Sequence, residues 1–144
     1  MEFDNTFTVP KPVDEVWNTI LDLEKIVPCV PGGKVLEGGQ KSVKAEVKIR
    51  LGSMSMTYSG PAEITNQDDS SHKATMSAKG KEAGGQGNAE ATVEITLSEG
   101  GGGTEGKIHS SVNVTGKAAQ MGEGVIAGVT EQMINDFAEC LAKM

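Results

Sequence analysis

Between residues 42 and 114 apolar side chains recur at every second position, and after Gly116 the spacing lengthens to about four. A period of two belongs to a strand with one buried face and a period near 3.6 to a helix, so the chain must be a run of strands closed by one helix. Val43, Ala45, Val47, Ile49 and Leu51 alternate with Lys44, Glu46, Lys48 and Arg50. Met54, Met56, Tyr58, Gly60, Ala62 and Ile64 continue the alternation after a Gly52-Ser53 turn. A polar turn at 66–71 leads to Ala74, Met76 and Ala78, and later to Ala89, Ala91, Val93, Ile95 and Leu97. A glycine-rich hairpin at 99–104 precedes Ile108, Ser110, Val112 and Val114. From 117 to 143 there is no proline, and Met121, Val125, Val129, Met133, Phe137 and Leu141 fall at steps of four. The spacing predicts a single helix of ~27 residues, or ~40 Å, able to cross the whole sheet.

The N-terminal segment adds a strand and two short helices. Phe3, Phe7 and Val9 alternate with polar residues, with Asn5 interrupting the apolar face and so requiring a partner or an opening. Val13, Val16, Trp17, Ile20 and Leu21 form one helical stripe, with Pro12 at its start and Asp14 and Glu15 at the positive end of the helix dipole. Leu23 to Val27 reads as a second helix, ended by Pro28. One strand, two short helices, about six further strands and a long helix define an α+β fold with a curved antiparallel sheet of six to seven strands, in a single domain spanning 1–144.

Charge excludes several partners. The formal net charge is −7 and Arg50 is the one arginine, which argues against a nucleic-acid backbone and against stable docking on an anionic membrane. Met1 to Asn5 carries acids where a signal peptide is basic, and no apolar run approaches the ~20 residues of a membrane helix. Cys29 and Cys140 fit no metal or redox spacing, so two reduced thiols in a cytoplasmic protein are expected, with Cys29 buried.

The inward positions are small: Ala45, Gly60, Ala62, Ala74, Ala78, Ala89 and Ala91 all face the expected core, and the chain has only five aromatic residues. A sheet normally stands ~10 Å from what covers it. Short side chains therefore leave two outcomes open. Either the helix, thinned by Gly122, Gly124 and Gly128, drops onto the sheet, or a space remains that an apolar guest would fill.

Five segments resemble one family: Phe7-Thr8-Val9-Pro10 through Val16-Trp17, Cys29-Val30-Pro31-Gly32, Gly52 through Tyr58-Ser59-Gly60, Gly84-Gly85-Gln86-Gly87-Asn88-Ala89, and Gly116-Lys117-Ala118-Ala119-Gln120-Met121-Gly122. Together they are similar to the CoxG-like family of carbon monoxide dehydrogenase proteins, within the START-like (SRPBCC) superfamily, over almost the entire chain. The resemblance implies a helix-grip fold, with the sheet wrapped around the C-terminal helix over a deep apolar cavity. It also implies an accessory role beside a molybdenum hydroxylase such as carbon monoxide dehydrogenase, in membrane recruitment or in handling a lipid-soluble quinone. Some relatives carry a C-terminal extension able to contact membrane; this sequence ends at Met144, and anchoring by that route is not expected.

The expected function is non-enzymatic binding of a hydrophobic molecule, an isoprenoid quinone or other lipid, at the inner face of the membrane. The expected lining comprises Ala45, Val47, Ile49, Met54 and Met56 from the first hairpin, and Ala91, Val93 and Val112 from the later strands. Met121, Val125 and Val129 complete it from the helix, Tyr58 offers a hydrogen bond to a polar head, and Cys29 and Pro31 rim the mouth. The alternatives are an assembly or recruitment factor acting through Lys41, Lys44, Lys48 and Arg50, or a START-like cyclase or hydrolase. The last would need inward polar groups, of which Asn5, Tyr58 and Ser110 are the candidates. No cofactor or metal is implied. His72 and His109 read as surface residues, Asp68 and Asp69 as turn acids bonding the backbone. Gly122 to Gly128 resembles a dinucleotide fingerprint but lacks the βαβ setting that would make it one.

Overall fold

A computed structural model describes residues 1–144. The order is β1 (Glu2–Val9), α1 (Val13–Ile20), α2 (Leu23–Ile26), a 3₁₀ turn (Val27–Cys29), β2 (Gly33–Glu37), β3 (Ser42–Leu51), β4 (Met54–Asp68), β5 (Lys73–Glu82), β6 (Asn88–Gly100), β7 (Gly103–Val114), a second 3₁₀ segment (Gly116–Met121) and α3 (Glu123–Lys143). All seven strands form one antiparallel sheet in the order β1-β7-β6-β5-β4-β3-β2. Apart from the β7–β1 pairing, every neighbour in the sheet is a neighbour in sequence, as expected of a meander joined by short turns. The β6–β7 turn has positive φ at both Gly101 (57°) and Gly102 (83°), the twist a two-residue hairpin needs and glycine supplies without strain.

The N-terminal helices bury the stripe seen in the sequence. Val13, Val16, Trp17 and Ile20 of α1, with Leu23 and Ile26 of α2, enter the main core. Asp22 caps α2 by accepting the Glu24 backbone N–H at 3.1 Å.

The C-terminal helix is shorter than its spacing predicts. Gly122 adopts φ 88°, ψ 158°, outside the helical region, so residues 116–121 form a separate 3₁₀ segment and α3 begins at Glu123. Its 21 residues span ~31 Å. α3 packs chiefly on β1 and also touches β3 and the first 3₁₀ turn. Its glycines do not let it sit tightly on the sheet: a Cβ built at Gly124 or Gly128 would meet nothing within 4 Å, and both positions are exposed. Periodicity places these two on the far side of α3 from Ile126 and Phe137, which are buried.

The expected pair of free thiols is also corrected. Cys29 in the first 3₁₀ turn and Cys140 near the end of α3 form a disulfide across a sequence separation of 111 residues. Spacing rules read local metal and redox motifs and are blind to a bond that only the docking of α3 brings together. Lys11 adds a polar tie by donating from Nζ to the Met144 carbonyl.

Closing a loop of this length restricts the unfolded chain strongly, by about 4 kcal/mol in the chain-entropy picture. Cys140→Ser should lower the unfolding free energy by about that amount in urea titrations, and reductant should have the same effect on the wild type but none on the variant. Gly128→Ala, in open space on a helix, should raise stability by about 0.5–1 kcal/mol in the same assay.

Candidate ligand-binding trough

The inner face of the sheet carries two separate apolar cores. The larger joins β1, α1, α2, the first 3₁₀ turn and the C-terminal half of α3, through residues such as Phe7, Trp17, Ile95, Ile134, Phe137 and Leu141. Within it Phe7 and Phe137 meet edge to face, centroids 6.4 Å apart. The smaller, at the β3–β4 hairpin end, consists of Leu51, Met56, Tyr58 and Ala118, with Ile49, Met54, Met121 and Val129 half-buried around it. Because α3 gives Val129 to one core and Ile134, Phe137, Ala138 and Leu141 to the other, it spans the interval between them.

That interval is floored by short side chains aligned across strands. Ala45 pairs with Gly60, Gly60 lies against Gly80, and Gly80 pairs with Ala89. In the next row Val43, Ala62, Ala78, Ala91 and Val112 follow one another from β3 to β7. Alternation puts them on the same face as the cores, yet Ala45, Ala62, Ala89, Ala91 and Val112 are only half-buried and Ala78 is exposed. The result is an apolar trough beneath and beside α3, open to solvent. At Gly60 the small residue is obligatory, since a side chain there would collide with the Lys79 carbonyl of β5.

The sequence-derived lining residues distribute around this trough. Ala45 and Val93 pack at the edge of the larger core; Met56 and Tyr58 lie in the smaller one, with Ile49, Met54, Met121 and Val129 against it. Val47, Ala91 and Val112 stand between the two. Val125, 39% exposed, lies at the outer margin of α3. Pro31 is half-buried, whereas Cys29 is inside the larger core, held in its disulfide.

Four polar groups belong to the inner face. Asn5 keeps a buried Oδ1 with no hydrogen-bond partner. Ser110 is buried in the row of Phe3 and Val93. Tyr58, 7% exposed, donates from its hydroxyl to the Met56 Sδ at 3.6 Å. Burial, and secondarily the adjacent Glu82 carboxylate, hold the Tyr58 pKa above its ordinary value. Glu82 is the group that sequence reasoning missed, although its position continues the Ala74-Met76-Ala78-Gly80 alternation. It sits opposite Tyr58, and its carboxylate accepts backbone N–H groups from Thr57 (3.0 Å), Gly84 (2.7 Å) and Gln86 (3.4 Å). Those bonds, Thr57's foremost, hold its pKa below the usual carboxylate range.

The remaining candidate groups lie elsewhere. Asp68 accepts the backbone N–H groups of Ser70 and Ser71, as expected of a turn acid. Asp69 instead accepts from Trp17 Nε1 at 3.0 Å and Gln67 Nε2 at 2.8 Å, tying the β4–β5 turn to α1. His72, in the left-handed region at φ 52°, is half-buried beside Trp17 and 3.1 Å from Asp14. His109 is exposed on the outer face, Nδ1 2.7 Å from Asp4 and Nε2 2.9 Å from Glu2. Lys44, Lys48 and Arg50 stand exposed on the outer face of β3 with no carboxylate within ion-pair distance. A separate cleft of about 580 Å³ runs along β1 and the outer flank of α3; it is lined mostly by polar and acidic residues, among them Glu105, Gln132, Asp136 and Glu139.

A curved seven-stranded antiparallel sheet gripping a C-terminal helix over an apolar inner face defines a helix-grip protein of the START-like (SRPBCC) class. Residues 6–144 match the family model for the carbon monoxide dehydrogenase protein CoxG, and the chain belongs to that family. Among solved structures, a conserved protein from Geobacillus kaustophilus superposes with a TM-score of 0.85 at 23% identity, covering 99% of this chain and 93% of that one. The Zhui aromatase/cyclase from Streptomyces sp. R1128 (TM-score 0.61, 14% identity, 99% and 92% covered) and Ara h 8.0201 (0.60, 14%, 99% and 95%) share the same fold. A comparison with curated protein sequences gives no match. No helix is long and apolar enough to cross a membrane.

The His109 cluster has a definite pH signature. Its hydrogen bonds to Asp4 and then Glu2 raise the imidazole pKa above 6.5. The cluster's contribution to stability is thus complete below the unfolded-state value and disappears as pH rises through the higher folded-state value. An NMR titration should find the His109 midpoint above 6.5, and Asp4→Asn with Glu2→Gln should bring it back toward that value.

Proposed function

We propose that the protein holds a hydrophobic small molecule in the trough between its two cores, without chemical turnover, and that an isoprenoid quinone is the favoured guest. The observation carrying this reading is the row of Ala and Gly side chains, half-exposed on a face that α3 spans but does not fill. An apolar guest restores the dispersion contacts that short side chains forgo and removes apolar surface from water, contributing about 2.5 kcal/mol per 100 Å² before the costs of association. The half-buried Met54, Met76, Met121 and Met133 offer adaptable contacts to an irregular guest.

A binding rather than catalytic role is supported by the chemistry of the inner face. Its one acid, Glu82, is committed to three backbone N–H groups, and both histidines bond carboxylates away from the trough. The family name points to carbon monoxide dehydrogenase as the enzyme served, with the guest carrying its electrons and membrane contact brief. That role suits the inner face of the cytoplasmic membrane, a reducing setting in which the Cys29–Cys140 bond is unusual.

A second reading, docking of an acidic partner, is favoured by the unpaired Lys44, Lys48 and Arg50 on β3. The two separate cleanly. Ala62→Leu with Ala91→Leu fills the trough and should weaken uptake of diphenylhexatriene, followed by its fluorescence, at least tenfold with no loss of thermal stability. Lys44→Glu with Lys48→Glu should leave uptake unchanged. Equal uptake by the filled variant and the wild type would place the guest elsewhere.

A further inference from the structure

We infer that Tyr58 is the polar anchor of the trough, donating a hydrogen bond to an uncharged acceptor oxygen on the guest, while Glu82 beside it excludes anionic head groups. This deepens the binding reading and rests on it.

A buried phenol nearly always finds an oxygen or nitrogen acceptor, because a donor left without one loses the hydrogen bond it made in water. Tyr58 has only the Met56 thioether, a weak acceptor, at 3.6 Å. The residue stands where the small core meets the trough: the next inward positions on β4 are Gly60 and Ala62, and Val47 is directly opposite on β3. Met54, Met121 and Val129 are half-buried around the same core. A guest lying along the Ala and Gly rows therefore meets, at this end, soft thioethers and one unsatisfied phenol.

Glu82 sets the sign of what that phenol can accept. It faces Tyr58 in the β4–β5 register, and the backbone N–H groups of Thr57, Gly84 and Gln86 keep it ionised. The lysines of its own strand do not offset it on the inner face: Lys79 and Lys81 alternate to the outer side of β5, and Lys79 is paired with Glu90. A carboxylate head brought to Tyr58 would face this fixed negative charge with little water between them to screen it. A ketone, quinone or ester carbonyl accepts the same hydrogen bond without that repulsion.

The test uses three probes of similar chain length at pH 8, competing with diphenylhexatriene for the full-length protein: methyl oleate (a neutral acceptor), oleate (the anion of the same chain) and 1-octadecene (no acceptor). The wild type should bind methyl oleate at least tenfold more tightly than oleate. Tyr58→Phe should weaken methyl oleate about three- to tenfold, the range of one hydrogen bond, and leave 1-octadecene unchanged. Glu82→Gln, which retains a carbonyl acceptor for the backbone, should narrow the gap between ester and anion. Equal losses of ester and hydrocarbon in Tyr58→Phe would overturn the anchor, and oleate binding as tightly as its ester to the wild type would overturn the exclusion. Should diphenylhexatriene itself not enter the wild type, the binding reading fails; should it enter while Tyr58→Phe shows no selective loss, only the anchor does.

Discussion

One helix has to complete two apolar cores that do not touch. The sheet is long and curved, and its inner face is bulky at both ends and short-chained in the middle. The C-terminal half of α3 seals the larger core with Ile134, Phe137 and Leu141, and Val129 reaches the smaller one. Packing favours contact wherever side chains can interdigitate, so a rigid helix resting on two raised ends leaves the low ground between them unfilled. The trough is a consequence of that bridging.

The attachment of the helix is uneven. Its last turns are buried in the larger core and joined covalently to the first 3₁₀ turn through Cys29–Cys140, while its first turns carry exposed Gly124, Val125 and Gly128. Apolar burial, the disulfide and the Lys11–Met144 contact all act at the same end. Free energies of local opening track such contacts, so the Gly122 end of α3 is the weaker one and the side from which a guest would enter at least cost.

Polar groups on the inner face divide into those already satisfied and those that are not. Glu82 uses its charge to organise the 83–87 turn, which makes it a poor proton carrier and a good fixed charge. Tyr58 and Asn5 lack proper partners inside the protein. In an otherwise apolar trough, unsatisfied groups are where a guest's polar atoms gain most, which is why orientation would be decided by two or three residues while the Ala and Gly rows set affinity.

Alternation and its breakdown after Gly116 are local properties, and they were enough to determine the strands, the helices, the antiparallel meander and which residues face inward; the short inward side chains likewise announced that the middle of the sheet would be thinly packed. Three features were decided only in three dimensions. Gly122 ended the helix early because its backbone adopts a positive-φ conformation that spacing by fours does not reveal. Cys29 and Cys140 met because α3 docks beside the first 3₁₀ turn, a neighbourhood 111 residues apart in the chain. Glu82 faces the trough because β5 runs four residues beyond its last inward alanine, Ala78, and pairs it with Tyr58. Periodicity reports which side of an element is apolar; it carries no information about how far apart two covered surfaces come to rest, and that separation is what makes a cavity, a covalent clasp or a hydrogen bond.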